Sequence, residues 1–484
     1  MIPDTVNRDL IPNDLLHTWA QTVQTRITTV LQSPRSTLGH LEEMLAEEAK
    51  NLLRPILVAA AQRLADQQPF QCARCHTPLQ VEARRRWRTL NAAFGGLPLG
   101  RDYGWCPRCD TYCHPADAAL GLHAAAAASP RVQEIAALVS LRSPYAQAVQ
   151  DAHRLSGLAL NRASLQRETL RQGQRAIACR QADLALARTP AGAAALSARS
   201  GTAALAPFTL IIEIDAWNIR ERDAWGRTAA LRRKGQEPER WHWVFTGTLF
   251  RLDQRGQTAG GRRVIAQRGY VATRQSLADF KEQLYAEALQ RGLLHAEQVL
   301  IIADGAIWIW HLAEDRFKAA RQRVDLYHVK EHLHELARTV YGQDTPRAQQ
   351  WLKPLLRFLE QRTDGALDVL RELEALGPRL KRLTEPQQTA INREIGYFTT
   401  HQKRMDYKQA KARGEPVGSG AVEATARQYQ TRFKATGQFW SLEGDEALLA
   451  LATLYRNERW SRLFPHSDPA TAEQLMTSLT NQSN

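Results

Sequence analysis

Five of the six cysteines lie between Cys72 and Cys113, and four of them form two C-x-x-C pairs, Cys72/Cys75 and Cys106/Cys109. Two such pairs supply four sulfur ligands, the set a tetrahedral structural Zn²⁺ prefers. Gly104, Trp105 and Pro107 flank the second pair with residues suited to a tight turn. The 30 residues between the pairs leave room for a hairpin, so residues 66–120 read as a zinc-ribbon-like module. Cys113 or His114 could replace one ligand. Cys72-Ala-Arg-Cys75-His76 also matches a c-type haem attachment string, and either pair could be a redox dithiol. Haem attachment follows export, and two pairs set in turn residues favour a metal over a dithiol. Cys179, alone in a helical stretch, reads as a small buried hydrophobe.

The opening Met1-Ile-Pro-Asp-Thr is not a basic segment followed by an apolar one, so no secretory signal is expected. The run Ala124–Ala128 falls far short of the roughly 18–20 apolar residues that cross a bilayer. The expectation is a cytoplasmic protein without a membrane partner. The 64 Lys+Arg against 50 Asp+Glu leave +14, with a pI of about 9.7. That surplus asks for a polyanion, and nucleic acid is the commonest; an anionic membrane surface is the rival.

A length of 484 residues suggests several domains. Residues 1–65 read as an N-terminal helical region, with amphipathic helix from residue 10 on the steps of Leu38, Leu41, Leu45, Leu52, Leu53, Ile56 and Leu57. Residues 121–204 are again helical and end in a loose Ala/Gly/Ser stretch at 190–201. Within them, a helix from Pro144, a turn at Ser156-Gly157 and a second helix after Asn161 form a candidate helix-turn-helix. Arg162, Gln166, Arg167 and Arg171 would then face DNA; a helical hairpin with a solvated basic face is the plainer reading.

The pattern changes at Phe208. Strands at 208–215, 241–252 and 263–273 precede a helix at 277–294, a strand at 298–303, a helix at 312–321 and a strand at 324–327. That order suits an RNase H-like α/β core rather than a strictly alternating dinucleotide fold. The first part of the core spans 205–330. Residues 331–412 are a charged helical insertion with breaks at Pro346, Gly365, Gly377-Pro378 and Pro386. Residues 413–465 hold the last core helix, and 466–484 a polar tail.

Asp215 and Asp304 each end an apolar run, and in such a core the first and fourth strands are neighbours. Two adjacent carboxylates repel unless a cation lies between them, which suits Mg²⁺ or Mn²⁺. Glu423 opens the helix after Gly418-Ser419-Gly420 and shares a face with Arg427, Gln430 and Lys434, so Arg427 and Lys434 are candidate DNA contacts. Taken singly, Asp304-Gly305 is a good turn, Glu423 and Arg427 a good i,i+4 pair, and Glu213 a competitor for the role of Asp215.

Ile214-Asp215-Ala216-Trp217-Asn218-Ile219-Arg220-Glu221-Arg222-Asp223, Ala303-Asp304-Gly305-Ala306-Ile307-Trp308, Val324-Asp325-Leu326-Tyr327-His328 and Gly418-Ser419-Gly420-Ala421-Val422-Glu423 resemble DDE transposases of the ISKra group of bacterial insertion sequences. The resemblance covers roughly residues 205–465 and includes Arg404-Met405-Asp406-Tyr407 and Gly437-Gln438-Phe439-Trp440. Asp325-Leu326-Tyr327-His328 also looks like the D-x-x-H element of mutator-like transposases. The resemblance implies a metal-binding catalytic triad of Asp215, Asp304 and Glu423, with Asp325 and His328 in support. It further implies cleavage and strand transfer at the ends of an insertion sequence, with double-stranded DNA (terminal repeats and target) as partner and a homo-oligomer holding both ends. A transposase-derived regulator without catalysis and a structure-selective nuclease are the alternatives.

Overall fold

The structure, a computed structural model, describes residues 11–123, 126–200, 207–222, 226–237, 239–261, 263–380 and 382–467. It divides into two compact units, Met1–Thr169 and Leu170–Asn484. No described helix is long and apolar enough to cross a membrane.

In the first unit the expected helix from residue 10 is two helices, α1 (Asn13–Gln32) and α2 (Leu38–Asp66). The break falls around Pro34, which has no N–H to continue the ladder. Thr37 then restarts the chain with a reciprocal cap: its hydroxyl accepts from the His40 backbone while the His40 ring accepts from the Thr37 N–H. Strands β1 (Gln80–Ala92), β2 (Gly95–Cys106) and β3 (Thr111–Cys113) make an antiparallel sheet in that order. The hairpin β1–β2 occupies the gap between the two cysteine pairs, and its inner face (Leu90, Leu97, Leu99) packs on Ala61 and Ala65 of α2. Helices α3 (Ala116–Ala119), α4 (Pro130–Arg142) and α5 (Tyr145–Ser156) follow, and α5 ends on Gly157 in the left-handed conformation. Helix α6 (Arg162–Ala187) contains the boundary residues of the two units.

The second unit begins with a correction. The stretch expected to be loose holds helix α7 (Pro190–Ala198): Pro190 sits in the first turn and the Thr189 hydroxyl caps the Gly192 N–H. Its sheet is built from β4 (Thr209–Glu221), α8 (Thr228–Arg233), β5 (Arg240–Arg251), the small hairpin β6 (Arg255–Gln257) and β7 (Arg263–Ile265), then β8 (Gly269–Thr273), α9 (Leu277–Gln290), β9 (Gln298–Ala303), α10 (Ile307–Arg316) and β10 (Arg321–Val324). The five main strands lie in the order β10-β9-β4-β5-β8. β4, β5 and β8 are antiparallel neighbours, whereas β9 and β10 run parallel to β4.

Several boundaries differ from the pattern reading. The expected third strand is split, because residues 263–265 pair back on β6 and only 269–273 join the sheet. Helix α10 starts five residues early, and β10 ends at Val324 because Asp325 is already the cap of the next helix. Asp215 does not end its strand. β4 continues to Glu221 because β5 pairs with it along its length, whereas β9 accompanies it only from Thr209 to Glu213.

Helices α11 (Leu326–Tyr341), α12 (Pro346–Gln361), α13 (Gly365–Arg379), α14 (Glu385–His401) and α15 (Tyr407–Ala412) form the inserted block, followed by α16 (Gly420–Phe433) and α17 (Leu442–Arg456). Pro346, Gly365 and Pro386 stand at helix starts as expected; Gly377-Pro378 lies inside the last turn of α13. One face of the sheet (Leu210, Ile212, Ile214, Leu249, Val271) is continuous with α9, α10 and the helical block in a single core. The other face (Ile211, Phe250, Leu300, Ile302) receives Ala421 of α16. Covered on both sides, β9 reads as an unbroken apolar run.

Helices α6 and α17 cross closely at Gly173, where an added Cβ would come 2.5 Å from the Ala447 carbonyl oxygen. Backbone cannot yield as a side-chain tip can, so Gly173→Ala should destabilise the protein by about 1–3 kcal/mol in denaturant unfolding.

Candidate functional site

Parallel register brings the acids together. Glu213 of β4 lies opposite Ile302 of β9, so continuing both strands by two residues sets Asp215 beside Asp304. Val324 of β10 lies opposite Ala303, and the Asp325 N–H donates to the Ala303 carbonyl at 2.8 Å. Three adjacent strands therefore present Asp215, Asp304 and Asp325 at one level. Glu213 and Asp215, two residues apart, point to the same face of β4. That is the face covered by α16, where the Thr248 hydroxyl of β5 donates to the Thr425 hydroxyl.

Glu423 arrives in the first turn of α16. The turn before it is clamped from two strands. Glu213, buried, accepts the Ala421 and Val422 N–H groups at 2.8 and 2.9 Å through Oε2. Asp325, fully buried, accepts the Ser419 N–H and hydroxyl on Oδ2, each at 2.5 Å, and the Tyr327 and His328 N–H groups on Oδ1. Burial pushes the Glu213 carboxyl up to about 8, although the helix N–H groups of Val422 and Ala421 pull the other way. Gly418 is required here: a Cβ would meet the Tyr327 ring at 2.8 Å.

Asp215 is half-buried, and burial followed by the nearby charges of Asp304 and Glu423 raises its pKa, while His328 opposes. Asp304 and Glu423 are thus each within electrostatic reach of Asp215. Asp304 is held by its own loop: Oδ1 accepts the Ala306 N–H at 3.0 Å, and the Tyr397 hydroxyl donates to its carbonyl at 3.3 Å. Single ligand atoms of Asp325, His328 and Glu423 lie within 4.8 Å of one another, a group able to hold a metal ion. The Asp-x-x-His spacing follows from local geometry, since Asp325 caps α11 and His328 is the third residue inside it. With four donors already on its carboxylate, Asp325 is occupied as a clamp. Asp325, expected in support of the triad, both clamps that turn and stands in the group that could hold an ion.

Sequence reasoning treated Glu213 only as a rival of Asp215; its burial and its bonds to α16 show it holding the helix. It missed Arg323, fully buried, which donates to Asp406 at 2.8 and 3.0 Å, to Glu415 at 2.7 Å and to the Pro416 carbonyl at 2.9 Å. Burial opposes it, but Arg413, Arg321 and Arg323 keep the Glu415 carboxyl down at about 2. Only the Arg-x-Asp step preceding the Asp-x-x-His string hints at this role. Tyr397 of α14, far off in sequence, carried no signal.

The four expected cysteines converge: Cys72, Cys75, Cys106 and Cys109 bring their sulfurs within 4.8 Å of one another, with Cys75 and Cys106 at 3.5 Å. Each pair is followed by a residue in the left-handed region, His76 and Asp110, so the two turns are built alike. Their thiols are mutually coupled. Donating a hydrogen bond to the neighbouring Cys75 sulfur pushes the Cys109 thiol up to about 12, while Thr77 brings Cys75 down to about 6. Four clustered sulfurs cannot all ionise without a cation, so the donor set suits one soft divalent ion. Cys113 adjoins the cluster without joining it, and the His114 ring is turned to the Asp102 carbonyl and to Tyr103. Cys179 is only half-buried.

Among the candidate DNA contacts, Arg162, Gln166 and Arg167 are exposed on α6; Arg171 is half-buried and engaged. Arg427 is exposed and 3.7 Å from Glu423, and Lys434 lies over the Trp217 ring at 5.6 Å. Compared with known proteins, the chain matches no family model and no curated protein.

Cys106→Ser should reduce bound zinc from about one ion per chain to none by elemental analysis and loosen residues 66–120 to proteolysis. Asp325→Ala leaves the two buried Ser419 donors, and the Tyr327 and His328 N–H groups, without that acceptor and should cost about 2–4 kcal/mol in unfolding, whereas Asp304→Asn should cost well under about 1.

Proposed function

We propose that the protein is a metal-dependent DNA transposase of the DDE type, with an RNase H-like core formed by the second unit. The observation that carries this reading is Asp215 beside Asp304 on neighbouring parallel strands, with Glu423 brought over them by a doubly clamped helix turn. The strand order β10-β9-β4-β5-β8, with β9 and β10 alone parallel to β4, supports it. So does the resemblance of the motifs around Asp215, Asp304, Asp325 and Glu423 to transposases of the ISKra group.

Oxygen donors from three carboxylates suit Mg²⁺ or Mn²⁺, held by Asp215, Asp304 and Glu423. Bound there, such ions supply Lewis acidity and a nucleophilic water or 3′-hydroxyl for attack on a phosphodiester. The chain's own contribution is placement. Glu213 and Asp325 fix the α16 turn, Tyr397 and Ala306 fix the Asp304 loop, and His328 beside Glu423 offers a half-exposed ring to the scissile phosphate. The basic surplus favours DNA, and the exposed Arg162, Gln166 and Arg167, with the Zn²⁺ module, are assigned to end recognition. Arg427 lies one turn from Glu423 on α16, and Lys434 follows the far end of that helix. Holding both ends together calls for a homo-oligomer.

Incubation with labelled element ends and Mg²⁺ should give both cleavage and joining. Cleavage without joining would make the protein a nuclease, and binding without either a regulator. Asp304→Asn and Glu423→Gln should lower both reactions by at least about a thousandfold while specific DNA binding changes less than about threefold. Glu213→Gln keeps an acceptor for the α16 N–H groups and should retain most activity.

A further inference from the structure

A second basic feature lies at the other end of the same strands. Arg251 pairs in register with Leu210 at the start of β4, five residues or roughly 17 Å from Asp215. There the second unit encloses a cavity of about 760 Å³, within the range of sites that take small ligands. Its wall carries seven arginines and one carboxylate, Glu458.

The arginines are not neutralised by their partners. Asp183 is shared by Arg199 and Arg462, at 2.9 and 2.6 Å. Glu287 is shared by Arg291 and Arg459, at 2.8 and 2.6 Å. Asp253 takes Arg251. With Glu458 counted, four carboxylates face seven guanidiniums, an excess of three positive charges. The Arg251 side chain is 7% exposed, and its Nη1 is buried with no hydrogen-bond partner among the described residues. The guanidinium is held over the Phe208 ring at 4.1 Å, a fixed positive charge beside the cavity. The wall is also rigid: Asn457 is bonded to both the N–H and the carbonyl of Tyr270, each at 2.9 Å.

We propose that this cavity binds a run of closely spaced phosphates, either the polyphosphate of a nucleotide or a stretch of DNA backbone. Guanidinium groups match phosphate oxygens in pairs, and shared carboxylates hold several of them ready at fixed spacing without cancelling their charge. The site goes beyond the transposase reading and does not depend on it, because none of its residues belongs to the acidic cluster.

The test uses the full chain and inorganic tripolyphosphate as probe, followed by calorimetry against sodium chloride of equal ionic strength. One equivalent should bind. The double variant Arg268→Ala/Arg456→Ala, with both residues on the half-exposed wall, should weaken binding at least tenfold with its melting temperature unchanged. Arg251→Lys, which keeps charge and loses the planar fork, should weaken it several-fold. Displacement of the probe by duplex DNA would name the backbone as the source; displacement by a nucleoside triphosphate and not by DNA would name a free nucleotide. Asp304→Asn should leave probe binding unchanged, so a failure here is separate from a failure of the transposase reading. No binding beyond the salt control, or unchanged affinity in the double variant, would overturn the site.

Discussion

The second unit turns on the hold that two buried carboxylates and one buried guanidinium keep on residues 415–422. Arg323 and Asp325, two residues apart at the end of β10, seize the Glu415-Pro416 turn and Ser419, while Glu213 of β4 seizes the first N–H groups of α16. Between Asp325 and that turn the chain makes a long helical excursion, α11 to α15, and must return to the strand edge it left. Packing alone would leave the angle of α16 soft. Carboxyl acceptors on its N-terminal N–H groups fix it, since those N–H groups have no partner within the helix. Burying these charges is costly in isolation, and breaking one partner would strand the other; the arrangement trades stability for position.

Position matters because like charges are being forced together. Asp215, Asp304 and Glu423 come from three separated segments, and the raised pKa of Asp215 reports their mutual repulsion as well as its burial. Such a cluster is unfavourable in the bare protein, because like charges repel. The four-cysteine cluster of the first unit follows the same logic with sulfur. In both places the fold brings groups of like charge together, carboxylates at one site and paired thiols on twin turns at the other.

Charge is also distributed with a direction. Asp215 lies midway along β4 and Asp304 just past the end of β9, whereas the arginine-lined cavity lies by the start of β4, where Arg251 pairs with Leu210. An enzyme acting on a polyanion gains from such a division, because the acids need cations to meet phosphate whereas the guanidiniums meet it directly.

Local pattern was enough to read the four-cysteine cluster, the strand Gln298–Ala303, the place of Glu423 in the first turn of its helix and the excess of basic charge, because turn residues, apolar runs and C-x-x-C spacing act within a few neighbours. The sequence also marked Asp215 and Asp304 as chain-end acids, but wrongly for Asp215, whose strand runs on because β5 pairs with it beyond the reach of β9. Strand partners are long-range facts. For the same reason nothing local could tell that Glu213 holds a helix, that Asp325 spends its lone pairs on Ser419, or that Tyr397 bonds the Asp304 carbonyl. Those roles depend on which distant N–H or hydroxyl the fold delivers to each side chain, and only the tertiary structure decides that.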